Sequence, residues 1–272
     1  MIIGDYHTHT TYCDGDNTPE EMLLSAINKG LKYYGFSSHS HLSYDESWNM
    51  SHVAQNRYIE EILSIKEKYK DKIEVLLGTE YDLLSDNDIT HFDYVIGSCH
   101  SLLKDGNYIS VDHSEKTFVE CAEQFYGGDY YLFAEEYFKM MSTAAEKDKI
   151  TFYGHFDLIN KFNKDFKFFD EKDPRYTVPM LKVLEELAKT GVPFEINTQH
   201  TFRHSATEPT YSAVCWLSAL SEMGGKIVIN SDAHKSDRIG YNFPLAKETA
   251  KKCGFKSYLV LKKNGFEEIT LK

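Results

Sequence analysis

The stretch Ile2-Ile3-Gly4-Asp5-Tyr6-His7-Thr8-His9, followed by Asp14, decides how this chain is read. A short apolar run delivers two histidines at positions i and i+2. On a β-strand such residues point to one face, so both imidazoles can meet a single ligand. Alone, a His-x-His pair is weak evidence for metal binding. Its weight comes from repetition further along the chain.

Six more short runs end the same way. Residues 33–38 lead to His39, 73–78 to Glu80, and 94–99 to His100. Residues 151–154 lead to His155, 192–196 to Asn197, and 226–231 to Asp232 and His234. Runs this short and this rich in β-branched and aromatic residues read as buried strands. Amphipathic stretches lie between them, at 18–30, 58–69, 133–147, 178–189 and 211–223. Thr18-Pro19-Glu20-Glu21 supplies a cap, a first-turn proline and acids where a helix starts. Gly191 and Gly224-Gly225 stand where helices stop. Successive strand ends are about 38 residues apart, the size of a βα unit with insertions, and strand-helix alternation implies a parallel sheet. Seven units and a last run at 257–261 predict an α/β fold, a closed or nearly closed TIM-like (β/α) barrel in a single domain, 1–272. The longest step, from His100 to His155, carries a Tyr-rich acidic stretch expected as an insertion over the barrel mouth, around 103–138. Its aromatics at 126–138 are candidates for a wall over the substrate.

Composition narrows the function classes. The chain has 272 residues, 42% hydrophobic and 26% charged, which is a globular composition. A net charge of −12 disfavours long nucleic acids and anionic membranes, which would repel it. No apolar run reaches the length of a membrane span, and the start has no basic region before an apolar one. Five cysteines with no Cys-x-x-Cys pair suggest reduced thiols in a cytoplasm. Twelve histidines are the unusual feature.

Those histidines are placed rather than scattered. His7, His9, His39, Glu80, His100, His155, Asp232 and His234 all sit at or just after a predicted strand end, with Asp14 in the first loop. In a (β/α) barrel those ends share one mouth, where active sites are built. The ligands are nitrogen and oxygen with no cysteine, which suits Zn, Mn or Fe. No organic cofactor is expected. Two metals sharing a water lower its pKa and produce hydroxide, which can attack phosphorus in line.

The motifs His7-Thr8-His9…Asp14, Ser37-Ser38-His39, Gly78-Thr79-Glu80, Gly97-Ser98-Cys99-His100, Gly154-His155-Phe156-Asp157 and Ser231-Asp232-Ala233-His234 resemble those of the PHP (polymerase and histidinol phosphatase) superfamily. The likeness runs from residue 3 to about 240. Gly154 to Ile159 and Glu195-Ile196-Asn197-Thr198 resemble the stand-alone histidinol-phosphate phosphatases within it. The resemblance implies a distorted seven-stranded (β/α) barrel with up to three divalent metals. It implies that His7, His9, Glu80 and Asp232 hold the first and that Glu80 bridges to a second on His100 and His155. Asp14, His39 and His234 hold the third. Some relatives have histidine at the position of Asp14, and a carboxylate there is a harder ligand. The implied activity is hydrolysis of L-histidinol phosphate to L-histidinol and phosphate, a step of histidine biosynthesis. A metal-bridging hydroxide is the nucleophile, and Asp232 or His234 relays the proton to the leaving group.

Phosphate also needs cationic side chains. Arg203 is the first candidate, Lys161 the second and Arg238 the third. Asp5, Asp157 and Asn197 are candidates for orienting ligands, or for ordinary capping and strand-end roles. Cys99 is expected to pack away from the mouth. His41, His52, His91, His113, His200 and His204 read as loop or surface residues, His200 or His204 as possible pocket lining. Two other enzyme readings stay open: a PHP phosphoesterase acting on small nucleotides, and a metal-dependent amidohydrolase. The second is weakened because Glu80 occupies the position where such enzymes carry a carboxylated lysine. Nothing in the sequence bears on the oligomeric state.

Overall fold

Short β-branched and aromatic runs, buried along nearly their whole length, form parallel strands whose alternate residues line an interior. The computed structural model describes residues 3–199 and 213–272. Its strands are β1 (Gly4–Asp5), β2 (Tyr33–Phe36), β3 (Glu74–Asp82) and β4 (Tyr94–Ser98). A hairpin follows, β5 (Ser101–Lys104) and β6 (Asn107–Ser110), and then β7 (Phe152–Tyr153), β8 (Phe194–Asn197) and β9 (Ile227–Asn230). The order β1-β2-β3-β4-β7-β8-β9 is a seven-stranded sheet in which every pairing is parallel. Its two edges meet at one end, where Thr8 bridges Ala233, His9 N donates to Ala233 O (2.9 Å) and Ala233 N donates to His7 O (3.1 Å). The sheet is therefore a nearly closed seven-stranded barrel, sealed at the end that carries the histidines.

Below that end the interior is filled by Tyr94. Its ring lies across Gly35 and Gly78, where a Cβ would fall 2.4 Å from the Tyr94 hydroxyl and 2.2 Å from Cζ. Glycine at those two positions is what lets an aromatic ring span the barrel. The Tyr94 hydroxyl lies 2.5 Å from Tyr6 O and 2.9 Å from Phe36 O, tying β4 to the first two units.

The helices are α1 (Pro19–Asn28), α2 (His52–Tyr69), α3 (Glu115–Tyr126) and α4 (Tyr130–Ser142), then α5 (Pro174–Ala188), α6 (Ala213–Glu222) and α7 (Phe243–Lys252). The cap expected at Thr18 is formed, as a capping box in which Thr18 and Glu21 each satisfy the other's backbone N–H. Helix α2 starts six residues before the expected 58, because Ser51 caps it. Helix α4 and a 3-10 turn (Thr143–Glu146) share the stretch expected as one helix over 133–147. Helices α3 and α7 were not foreseen.

The run at 257–261 does not join the barrel. It forms β10 (Ser257–Lys262), which pairs antiparallel with β11 (Gly265–Thr270). This hairpin lies at the end of the barrel away from the histidines, where Lys263 N donates to Glu74 at the start of β3 (2.7 Å) and Tyr6 Oη donates to Leu261 O (2.8 Å).

The stretch 103–138 divides in two. The β5-β6 hairpin and the loop to α3 reach the mouth, while α4 packs against α5 as an outer barrel helix. Phe133, Tyr137 and Phe138 are wholly buried in the main apolar core, so they form no wall over a substrate. A second apolar cluster, with Met22, Tyr34, Tyr58 and Ile62, holds α1 and α2 on the other side. No helix of the described residues is long and apolar enough to cross a membrane.

Candidate metal centre

The strands end in step, and their interior-facing residues form two stacked polar layers. The lower layer is Glu195 and Asn230; Asp5 stands apart, paired with Tyr34 of β2, whose ring lies in the cluster that packs on α1. Asp5 accepts from Ser231 N (3.0 Å), Ser231 Oγ (2.5 Å) and Gly240 N (2.9 Å). Burial still pushes its carboxyl up to about 6. Glu195 accepts from His155 N (3.0 Å), Asn197 Nδ2 (3.1 Å) and Asn230 Nδ2 (2.9 Å), and lies 2.8 Å from His7 Nδ1. Asn230 Oδ1 accepts from Tyr6 N (2.9 Å). Both carboxylates are enclosed by donors.

The upper layer is different. His7 Nε2 lies 3.1 Å from Glu80 Oε2 and 3.6 Å from Asp232 Oδ1; His9 Nε2 lies 3.4 and 3.2 Å from the same two oxygens. All four atoms are buried and have no hydrogen-bond partner among the described residues. Donors about 2.1 Å from one tetrahedral ion lie roughly 3.4 Å from each other, so four unsatisfied atoms at these spacings fit a cation. Left bare, they would carry the desolvation cost of buried polar groups.

Glu80 is the hub. Its other oxygen, Oε1, lies 2.8 Å from His155 Nε2 and 3.4 Å from His100 Nε2. Asp14 Oδ2 lies 3.2 Å from His234 Nε2, and Asp14 Oδ1 lies 3.6 Å from His39 Nε2. His39 also turns Nδ1 toward Glu80 Oε2, at 3.0 Å, so it stands between the Asp14 group and the Glu80 group. All nine residues expected as ligands thus meet at one mouth in four overlapping groups.

Charge is balanced inside the cluster. Burial alone would raise the Glu80 carboxyl, but His7, His39 and His100 override it and hold it well below the usual range. Asp232 is likewise held low, by His7 and His9 against burial. Burial opposes charging His7 and His100, yet the carboxylates around them raise His7 well above its ordinary value and His100 to about 9. His9, buried beside His234 and His39, is lowered to about 3, so it is neutral and free to coordinate. Divalent cations would replace the protons that now neutralise these acids.

The backbone is bent to serve the cluster. Asp232 has φ +51, in the left-handed region that an aspartate adopts at a cost. Asn197 Nδ2 donates to Asp232 Oδ2 (3.0 Å), which leaves Oδ1 for the centre. Asp82 was not foreseen. It accepts from His100 N (2.9 Å) and faces His100 Nδ1 (3.3 Å), fixing which ring nitrogen turns to Glu80. Glu195 does the same for His7. A signal for both was present, since each lies two residues along a strand from a quoted site position and so shares its face.

A cavity of about 390 Å³ opens over the centre. Its lining includes Asp14, His39, Glu80, His100, His155, Asp232 and His234, with Trp48 and Asp45 on one side and Lys161 and Leu158 on another. The stretch 103–138 contributes Ser110, Asp112, His113 and Thr117, so His113, an exposed loop residue as expected, also lines the pocket. Lys161 Nζ lies 2.7 Å from Asp112 Oδ2. Arg238 does not line this cavity; it faces Tyr241 at 5.2 Å and borders a smaller neighbouring hollow. Arg203, His200 and His204 lie outside the described residues. Cys99 is buried in the core as expected. His41 is buried with Nδ1 3.2 Å from Met50 O, and His91 is exposed.

Residues 5–199 match the PHP domain family. The chain belongs to the PHP family. Among curated members, this PHP chain is 30% identical over 250 residues to the Deinococcus radiodurans protein named "Probable histidinol-phosphatase", covering 88% of this chain and 89% of that one. It is 26% identical over 269 residues to the histidinol-phosphatase of Bacillus subtilis, covering 88% and 96%. The PHP barrel is also similar to a solved structure, the histidinol phosphate phosphatase of Lactococcus lactis complexed with zinc, L-histidinol and phosphate. That likeness has a TM-score of 0.69 at 21% identity, covering 97% of this chain and 98% of that one.

Proposed function

We propose that this protein is a metal-dependent phosphomonoesterase that hydrolyses L-histidinol phosphate to L-histidinol and phosphate. The observation that carries the reading is Glu80, whose two buried oxygens each face imidazoles of a different group. Curated relatives that match the chain along most of its length are histidinol-phosphatases.

The residues suited to hold divalent ions are His7, His9, Glu80 and Asp232 for a first, Glu80, His100 and His155 for a second, and Asp14, His39 and His234 for a third. Zinc, manganese and iron all suit this donor set. Bound there, such ions supply Lewis acidity, an ionised water at neutral pH and charge for the phosphoryl oxygens. The chain's own side chains do the rest. Lys161 in the cavity wall and Arg203 receive the phosphate. Asp232 or His234 passes a proton to the departing alkoxide. His234 is the better placed to reach it, as its side chain is 21% exposed at the cavity against 7% for Asp232 and is held by Gln199 Nε2 at 3.0 Å. The insertion within 103–138 supplies one substrate wall. Arg238 has the weaker claim to phosphate, given its neighbouring hollow. The small substrate fits the cavity, and the five free cysteines suit a cytoplasmic enzyme.

The test is phosphate release from L-histidinol phosphate, sugar phosphates and nucleotides, on protein of measured metal content. Selective turnover of L-histidinol phosphate supports the reading. Preference for a nucleotide or sugar phosphate contradicts it.

A further inference from the structure

Lys161 and Asp112 meet in the cavity wall. Lys161 follows a 3-10 turn (Leu158–Asn160) after β7, and Asp112 lies in the loop between β6 and α3. Their 2.7 Å pair is largely desolvated, with side chains 9% and 20% exposed, and both line the cavity. Lys161 is the one lysine or arginine among the described lining residues.

For a bare phosphate this arrangement is poor. A carboxylate touching the phosphate's lysine competes for it and repels the dianion. It suits a substrate that carries a positive group close to its phosphate. L-Histidinol phosphate is such a molecule, with an ammonium on the second carbon from the ester oxygen. An adjacent lysine and aspartate are the charge complement of that phosphate and ammonium. We propose that Asp112 is a specificity-determining residue: the Lys161–Asp112 pair opens on binding, Lys161 takes the phosphate and Asp112 takes the substrate's ammonium. This inference rests on the proposed substrate. It makes the enzyme selective for aminoalkyl phosphates over neutral alkyl phosphates, because an unfilled, desolvated Asp112 is left behind by a substrate with no amine.

The experiment compares L-histidinol phosphate with its deamino analogue, 3-(imidazol-4-yl)propyl phosphate, on metal-loaded protein of matched metal content. The wild type is expected to favour the amine by at least about tenfold in kcat/KM. Asp112→Asn should lower kcat/KM for L-histidinol phosphate about tenfold or more, through KM, and leave the analogue within about threefold. Asp112→Glu should restore part of the preference. Lys161→Met should raise KM for both substrates. Turnover of the analogue by Asp112→Asn also reports that the variant is folded. Equal losses on both substrates, or an intact preference in Asp112→Asn, overturn the inference and leave the phosphatase reading standing. A wild type that turns over the analogue but not L-histidinol phosphate overturns the substrate reading and this inference together.

Discussion

Two polar layers lie one above the other inside the barrel, and they are satisfied differently. In the lower one, Glu195 takes donors from His155, Asn197 and Asn230. In the upper one, His7 Nε2, His9 Nε2, Glu80 Oε2 and Asp232 Oδ1 are as deeply buried and make no hydrogen bond among the described residues. One strand end supplies both layers, one residue pair apart: Asn230 lies below Asp232. Proteins rarely bury polar atoms without partners. The difference teaches that the upper layer is completed from outside the chain, and that the lower layer is the rigid floor that aims it.

That contrast can be broken in order of effect. Glu80→Ala removes the hub of the upper layer. Turnover should fall by more than about a thousandfold, well beyond what outer partners of a metal site are worth, and bound metal should fall with it. Steady-state kinetics and metal analysis on the same sample check this; a variant that keeps its activity refutes the bridging role. Glu195→Gln keeps the shape of the floor but loses the charge facing His7. Metal affinity should drop about 10–100-fold, with the circular dichroism spectrum unchanged. Asp82→Asn loosens only His100, so the loss should be smaller, about tenfold, read as the metal concentration needed for half-maximal rate. Asp5→Ala strands the N–H groups of Ser231 and Gly240 outside both layers. It should cost on the order of 1–3 kcal/mol in urea unfolding while the folded fraction keeps a kcat near that of the wild type. Should Asp5→Ala instead abolish turnover in folded protein, the site depends on more than these two layers.

The upper layer was legible in the sequence because its residues stand at strand ends, where a period of two and an abrupt polar residue mark position without any knowledge of the fold. His7, His9, Glu80 and His100 are all of this kind. The lower layer was not legible in the same way. Glu195 shares the face of Asn197 on its strand, but the groups it holds, Asn230, His155 and His7, come from three other strands or strand ends 35 to 188 residues away. Asp112 was missed for the same reason. The hairpins were a different failure. Asp105-Gly106, both with positive φ, and Asn264-Gly265 are turn dipeptides that announce β5-β6 and β10-β11, and the hydrophobic run at 257–261 alone misassigned the second to the barrel. Helices α3 and α7 carried the same signal as the others, with Phe118, Ala122 and Tyr126 on one face of the first and Phe243, Ala246 and Ala250 on one face of the second, and Ser114 capping the first, and were overlooked.

The central claim is that the nine residues at the mouth hold divalent ions that make this chain a histidinol phosphatase. The most direct test measures metal per chain and phosphate release from L-histidinol phosphate on one preparation, before stripping, after stripping with a chelator and after adding Zn, Mn or Fe. The account predicts at least two ions per chain, loss of turnover on stripping and recovery on re-addition. Full turnover by metal-free protein, or none by protein carrying its full complement of metal, would contradict it.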